Sequence, residues 1–240
     1  MNFSRELHLA RAEERGDWAK VKRVGLFGGS FDPVHIGHLH AASAAQAAFG
    51  LERVVFVPAA SPPHKPARAL ASGPDRAHML ALAIAGRRDW SISNIELDRP
   101  GLSYTIDTLR ELPGRLLLTS DAKLFLILGS DNLRGFERWK DVHEILERAE
   151  PIVVLRDAQN SRALEQIRSA FAPSVFARIE RGLLGNAPLV IDATSLRAAL
   201  ARGETPSGMD AEVVAYARER ALYGAPSQGR QARTDQAGGN

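Results

Sequence analysis

The sequence predicts an α/β protein, a doubly wound parallel sheet followed by a C-terminal helical part. Three observations lead there. Apolar runs of strand length alternate with helical patterns along most of the chain. The strand-like runs are rich in Val, Ile, Leu and Phe on consecutive positions, as strands buried on both faces require. After the last strand-like run, two helical patterns follow one another with no strand between them.

Taken in order, RVGLFGG is a short buried strand, and IGHLHAASAAQAAFG is an alanine-rich helix ending at Gly50. RVVFVP is a second strand, stopped by the loop PAASPPHKPARALASG. DRAHMLALAIAG reads as helical, WSISNIEL as extended and YTIDTLREL as helical. KLFLILGSD is a buried strand running into a turn, and EPIVVLRD another strand. SRALEQIRSAF is a helix, and PLVID a last strand before the helices TSLRAALARG and DAEVVAYARERALYG. There is no internal repeat. The expected organisation is a flexible extension over residues 1–21, one domain over 22–224, and a disordered tail over 225–240 with few apolar residues to bury.

Composition narrows the function classes. The chain is 45% hydrophobic and 25% charged, ordinary for a soluble globular protein. No apolar run approaches the roughly 18 residues of a membrane span, and the N-terminus lacks the apolar stretch of a signal peptide. There is no cysteine, which removes disulfides, thiolate catalysis and cysteine–zinc sites and fits a cytoplasmic location. The net charge of +3 suggests a nucleic-acid partner only at first sight. Six basic and four acidic side chains in residues 1–23, with two against one in 225–240, account for all of it. The neutral segment between them, without an aromatic-basic stripe, argues against both a nucleic-acid groove and an RNA-binding module.

The chemistry gathers in GGSFDPVHIGH, between the first strand and the first long helix. Ligands of open α/β sheets sit beyond the carboxyl ends of the strands, where this stretch lies. Gly28 and Gly29 let backbone N–H groups approach a ligand, and Ser30 adds a hydroxyl. The helix that follows aims its N-terminus at the same spot. His35 and His38, three residues apart, put both rings on one helix face, where two imidazoles can hold a polyphosphate between them. Gly37 between them leaves room for a nucleotide, and Asp32-Pro33 reads as a turn that shapes the loop. A metal pair is the other use of two histidines, but no HExxH or comparable ligand set accompanies them, and no metal ligand is assigned. The combination is a phosphate cradle.

This stretch resembles the signature of the HxGH nucleotidyltransferase superfamily, whose Rossmann-like fold the predicted sheet matches. A tRNA synthetase of that superfamily would also need a KMSKS-like loop and far more chain. Four further stretches narrow the resemblance: PPHK at 62–65, IELDRPGLSYTIDTLREL at 95–112, LFLILGSDNLRGFERWKDVHEIL at 124–146 and IDATSLRAAL at 191–200. In this order they are similar to the bacterial nicotinate mononucleotide adenylyltransferases, over roughly residues 22–224. That resemblance implies adenylyl transfer from ATP to nicotinate mononucleotide, giving nicotinate adenine dinucleotide and pyrophosphate on the route to NAD. The implied partners are these two small-molecule substrates, with Mg²⁺ accompanying ATP and no nucleic acid or membrane; a homo-oligomer is compatible with it.

The resemblance also implies roles. His35, His38 and Arg197 would act on the ATP phosphates, with Gly28, Gly29, Ser30 and Gly37 around them. Thr194 and Ser195 would offer hydroxyls and N–H groups from a second phosphate motif. Lys65 would reach in from its loop, and Gly129 and Asp131 would contact ribose. Trp139 would stack on the nicotinate ring, a contact on the order of 0.5–2 kcal/mol for a cation on an aromatic face. The backbone at Thr105 and Lys140 would receive its carboxylate. The sequence departs from the family at Asp192, where a small hydroxyl residue is usual. A carboxylate beside polyphosphate opposes binding unless it turns away or organises the metal, so Asp192 stays outside the expected site.

Two enzyme readings compete. A phosphopantetheine adenylyltransferase shares the first motif, but its chains are shorter and give no reason for SYTIDTL followed by Trp. A nicotinamide-mononucleotide enzyme differs only in acid preference. A non-catalytic nucleotide sensor on this fold would have no need of both His, Lys65 and Arg197 together.

Overall fold

The computed structural model describes residues 17–61, 71–155, 160–185 and 191–224. Six parallel strands form one sheet: β1 (Arg23–Gly29), β2 (Arg53–Pro58), β3 (Trp90–Ile92), β4 (Lys123–Gly129), β5 (Ala149–Val154) and β6 (Leu183–Leu184). Their spatial order is β3-β2-β1-β4-β5-β6. The chain winds outward from β1 in one direction, then crosses back to β4 and winds the other way, so the expected doubly wound sheet is present.

Helices α1 (Ile36–Phe49), α2 (Gly73–Ala83), α3 (Ile95–Asp98), α4 (Thr105–Arg115) and α5 (Val142–Arg148) fall between the strands. They are followed by α6 (Asn160–Ala170), α7 (Pro173–Arg181), α8 (Ala193–Ala201) and α9 (Ala211–Glu219). Helix α1 ends where expected, with Gly50 in the left-handed region at φ 57°.

Side chains that alternate along each strand divide the core in two. Val24 and Leu26 of β1, with Leu124, Leu126 and Leu128 of β4, join Ile106 and Leu109 of α4 and Ile145 of α5 on one face. Phe27, Phe125, Ile127 and Phe56 join Ala42 and Ala45 of α1 and Met79 and Leu80 of α2 on the other. Full burial of one such Leu, Ile or Phe stabilises the fold by roughly 1.5–3 kcal/mol.

The structure departs from the sequence reading in three places. The run WSISNIEL is a strand only over Trp90–Ile92, after which Ile95–Asp98 turn as a short helix. Helix α7 was not anticipated; its Pro173 sits at the first helical turn, where a missing N–H costs nothing. The sixth strand is Leu183–Leu184, paired with Val153 and Val154. The expected strand PLVID lies largely outside the described residues, and so does the tail over 225–240.

The expected N-terminal extension also reaches too far inward. Residues 17–21 include a short 3₁₀ helix at Trp18–Lys20, and Trp18 and Val21 are buried in the first apolar cluster. Trp18 carries the Arg53 guanidinium over its ring at 5.1 Å. The packed unit therefore begins by residue 17.

Candidate active site

The direction of winding reverses between β1 and β4, and at such a switch point the carboxyl ends of neighbouring strands open a crevice. Gly28 and Gly29 end β1 there, and Gly129 ends β4, followed by a 3₁₀ turn over Ser130–Leu133 that carries exposed Asp131. A Cβ placed on Gly28 would meet nothing within 4 Å, so the backbone is open to a ligand at that point.

His35 is the N-cap residue of α1, and Gly37 is buried in its first turn. The two imidazoles share one face as expected, but they stack on each other, with centroids 3.7 Å apart and planes 30° apart. That spacing leaves no room for an anion between them. The His35 N–H donates to Nδ1 of His38 at 3.3 Å. With Nδ1 accepting, a neutral His38 carries its proton on Nε2. Phe31, with φ 47°, packs its ring against His38 at 5.0 Å and fixes the other side of the imidazole.

Asp32 is more than the turn residue that its sequence context suggests. It is 4% exposed, and its Oδ1 accepts from the Ala71 N–H at 3.1 Å and from the Tyr223 hydroxyl at 2.7 Å. Its backbone carbonyl accepts from Nη1 of Arg197, whose Nη2 donates to Thr194 Oγ1 at 3.0 Å. Arg76, 2% exposed, donates from Nη1 to the Ser30 carbonyl at 2.8 Å and from Nε to the Ala71 carbonyl at 3.0 Å. Burial pulls the Arg76 pKa below its ordinary value, and the Asp32 charge works against that pull. Sequence reasoning missed Arg76 and Tyr223, because their partners are distant in the chain and no local spacing reveals them.

Helix α8 brings Arg197 to the first loop, but its own N-terminus is already occupied. Asp192 caps it, with Oδ1 accepting from the Thr194 N–H at 3.1 Å and Oδ2 accepting from the Ser195 N–H at 2.8 Å and the Ser195 hydroxyl at 2.9 Å. Those donors hold the Asp192 carboxyl below its ordinary pKa. The groups that Thr194 and Ser195 were expected to offer to phosphate are thus engaged by a residue of the same turn.

On the far side of the crevice, Thr105 opens α4 and Trp139–Lys140 precede α5. Trp139 is half-buried, edge-on to Phe136 at 5.1 Å. Lys140 Nζ lies 4.6 Å from the centre of the Tyr104 ring and 3.2 Å from Asp107, which ties the two stretches together. The link back to the sheet is Ser103, whose Oγ accepts from the N–H groups of Ala60 at 3.0 Å and Ser61 at 3.2 Å, just past β2. Ala59 in turn donates its N–H to the Gly29 carbonyl at 2.9 Å. Glu96, buried beneath this knot, accepts from Thr108 Oγ1 at 2.7 Å, and burial pushes its pKa up. The structure thus brings Gly28, Gly29, Ser30, His35, Gly37, His38 and Arg197 together on one side, and Thr105, Trp139 and Lys140 on the other. Lys65 lies outside the described residues.

Backbone N–H groups, paired imidazoles and an arginine at the switch point of a parallel sheet make a nucleotide-binding α/β enzyme of the nucleotidyl-transfer class. The comparisons agree. Residues 26–191 match the cytidylyltransferase-like family model. A probable nicotinate-nucleotide adenylyltransferase of Bordetella pertussis is 37% identical over 205 residues, covering 85% of this chain and 98% of that one. One from Thermus thermophilus is 50% identical over 134 residues, covering 56% of this chain and 69% of the relative. The fold superposes on the solved Plasmodium falciparum nicotinic acid mononucleotide adenylyltransferase in complex with NaAD, with a TM-score of 0.64 over 84% of this chain and 97% of that one, at 15% identity. The chain belongs to the cytidylyltransferase-like family and, within it, to the nicotinate-nucleotide adenylyltransferases.

Proposed function

We propose that this chain transfers the adenylyl group of ATP to nicotinate mononucleotide, releasing pyrophosphate and nicotinate adenine dinucleotide. The observation that carries the reading is the convergence of His35, His38 and Arg197 on one loop at the switch point. That side joins a second, aromatic-walled side through Ala59–Ser61 and Ser103. One side suits a polyphosphate; the other suits a flat ring carrying a carboxylate.

The nucleophile is the phosphate of the mononucleotide, already ionised at neutral pH, so no activated side chain is required. The task is to hold two polyanions in line and to offset charge developing on the departing pyrophosphate. The His38 Nε2–H and the Arg197 guanidinium suit the phosphate oxygens. Trp139 offers a face to the pyridinium ring, and the N–H groups of Thr105 and Lys140 suit the carboxylate. Attack is direct at the α-phosphorus, with no covalent enzyme intermediate.

Nucleotidyl transfer from ATP typically uses a divalent metal. Among the described residues no three His, Asp or Glu side chains gather into a metal cage. The donors around the loop are N–H groups and cations, which fits Mg²⁺ brought in on the ATP phosphates and completed by water. Such an ion supplies charge neutralisation of the polyphosphate. Among the described residues no helix is long and apolar enough to cross a membrane.

The test is pyrophosphate release from ATP and Mg²⁺ with three acceptors in parallel: nicotinate mononucleotide, nicotinamide mononucleotide and phosphopantetheine. Strong preference for the first is expected. Preference for phosphopantetheine would overturn the acceptor, and no release with any would overturn the reaction.

A further inference from the structure

We propose that Tyr223, close to the end of the described chain, is a positioning residue for ATP, acting through Asp32 on Arg197. The inference rests on the reading of Arg197 as a phosphate-binding group. Tyr223 lies outside residues 26–191, the part that matches the family model. It is held in the left-handed region at φ 60°, a conformation that non-glycine residues adopt at a cost. Phe31, the neighbour of Asp32, is held there too, at φ 47°. Two strained residues therefore flank one buried carboxylate, and the 2.7 Å bond from the Tyr223 hydroxyl to Asp32 Oδ1 is the contact they create.

The Asp32 carboxylate has two oxygens with different work. Oδ1 is satisfied by Tyr223 and by the Ala71 N–H. Oδ2 has no hydrogen bond and lies 3.8 Å from Nη1 of Arg197, which donates instead to the Asp32 carbonyl. The arginine is thus held next to the carboxylate without a close pairing. A full bidentate ion pair would cover the guanidinium edge that a phosphate needs. The neutral Tyr223 donor takes up carboxylate acceptor capacity without adding charge. Loss of its hydroxyl leaves Oδ1 with one donor in a buried setting, and the nearest cation able to repair that deficit is Arg197. The guanidinium then shifts from the carbonyl to the carboxylate and away from the ligand.

The experiment is Tyr223→Phe, which keeps the ring, in full-length protein. The readouts are ATP affinity by calorimetry, KM for each substrate, and melting temperature. The expected result is ATP binding weakened about tenfold and KM for nicotinate mononucleotide within twofold of the parent, and in an Asp32→Asn background, where no carboxylate charge draws the arginine, Tyr223→Phe should add little. In an Arg197→Ala background, Tyr223→Phe should add little, because its effect passes through that arginine. A merely structural role would lower the melting temperature and leave the ATP constants alone, and full additivity with Arg197→Ala would equally overturn the proposal. If Tyr223→Phe does not fold, Tyr223→Leu against Arg197→Ala gives the same cycle, with additivity again the contrary result. Parent protein that binds ATP but adenylates no acceptor would sink only the acceptor reading. Parent protein that does not bind ATP would sink both.

Discussion

At the scale of single residues, the first loop shows why pairs of letters in a motif are not interchangeable. His35 and His38 occur together in the sequence, yet the structure gives them different work. His35 is 4% exposed and supplies the backbone N–H that fixes its neighbour, whereas His38 is only half-buried and accepts that bond through Nδ1. His38→Ala should therefore lower kcat about 10²–10³-fold, the range for loss of one charge-stabilising donor, with little change in melting temperature. Near-normal turnover would remove His38 from the mechanism. Asp192 gives the opposite prediction. Its carboxylate holds the N–H groups at the start of α8, and on the proposed binding mode it adds negative charge on the ATP side. Asp192→Asn keeps a good helix cap and removes the charge. KM for ATP should fall about fivefold, the factor matching ~1 kcal/mol between unit charges 4 Å apart in water. An unchanged or raised KM would show that the carboxylate does not oppose the nucleotide. The motif histidines and Arg197 were legible because their spacing is local. Asp32, Arg76 and Tyr223 were not, because each acts through a partner far along the chain; Tyr223 and Asp32 are 191 positions apart.

At the scale of elements, the alternation of strands and helices was readable because strands buried on both faces leave long apolar runs, as in Val54–Val57 and Leu124–Leu128. The sixth strand was not readable, because two leucines make no pattern. Its position is set by Gly182 instead. A Cβ at Gly182 would lie 1.9 Å from the Pro151 carbonyl oxygen, so only glycine allows the chain leaving α7 to approach β5. Gly182→Ala must push β6 off the sheet, and urea unfolding should show a loss of roughly 3 kcal/mol. Gly185→Ala is the control, since a Cβ there meets nothing within 4 Å. Equal effects of the two would mean that the sheet edge is not held by this approach. Helix α7 escaped notice for a related reason: its proline reads as a breaker but stands at the one helical turn that accepts it.

For the whole molecule, the extent of the packed unit follows from burial rather than composition. A chain begun at residue 22 loses Trp18 and Val21 from the first apolar cluster. Truncation of a buried tryptophan costs about 3–5 kcal/mol, so the melting temperature should drop by roughly 6–20 °C. A chain begun at residue 17 keeps both contacts and should melt above the one begun at residue 22 by that margin; if the two truncations melt alike, Trp18 contributes no such stability.

The bond from Tyr223 to Asp32 has a further consequence for how the molecule comes into being. A ribosome makes the phosphate loop among the first forty residues and the tyrosine that secures it only after more than two hundred. The crossover from β1 to β4 likewise waits for about a hundred residues to be made. The first-made motif thus stays unfastened until residue 223 has been made. A product interrupted before Tyr223, however well its early strands pair, would lack the bond to Asp32, and on the proposed role of that bond it would hold ATP poorly.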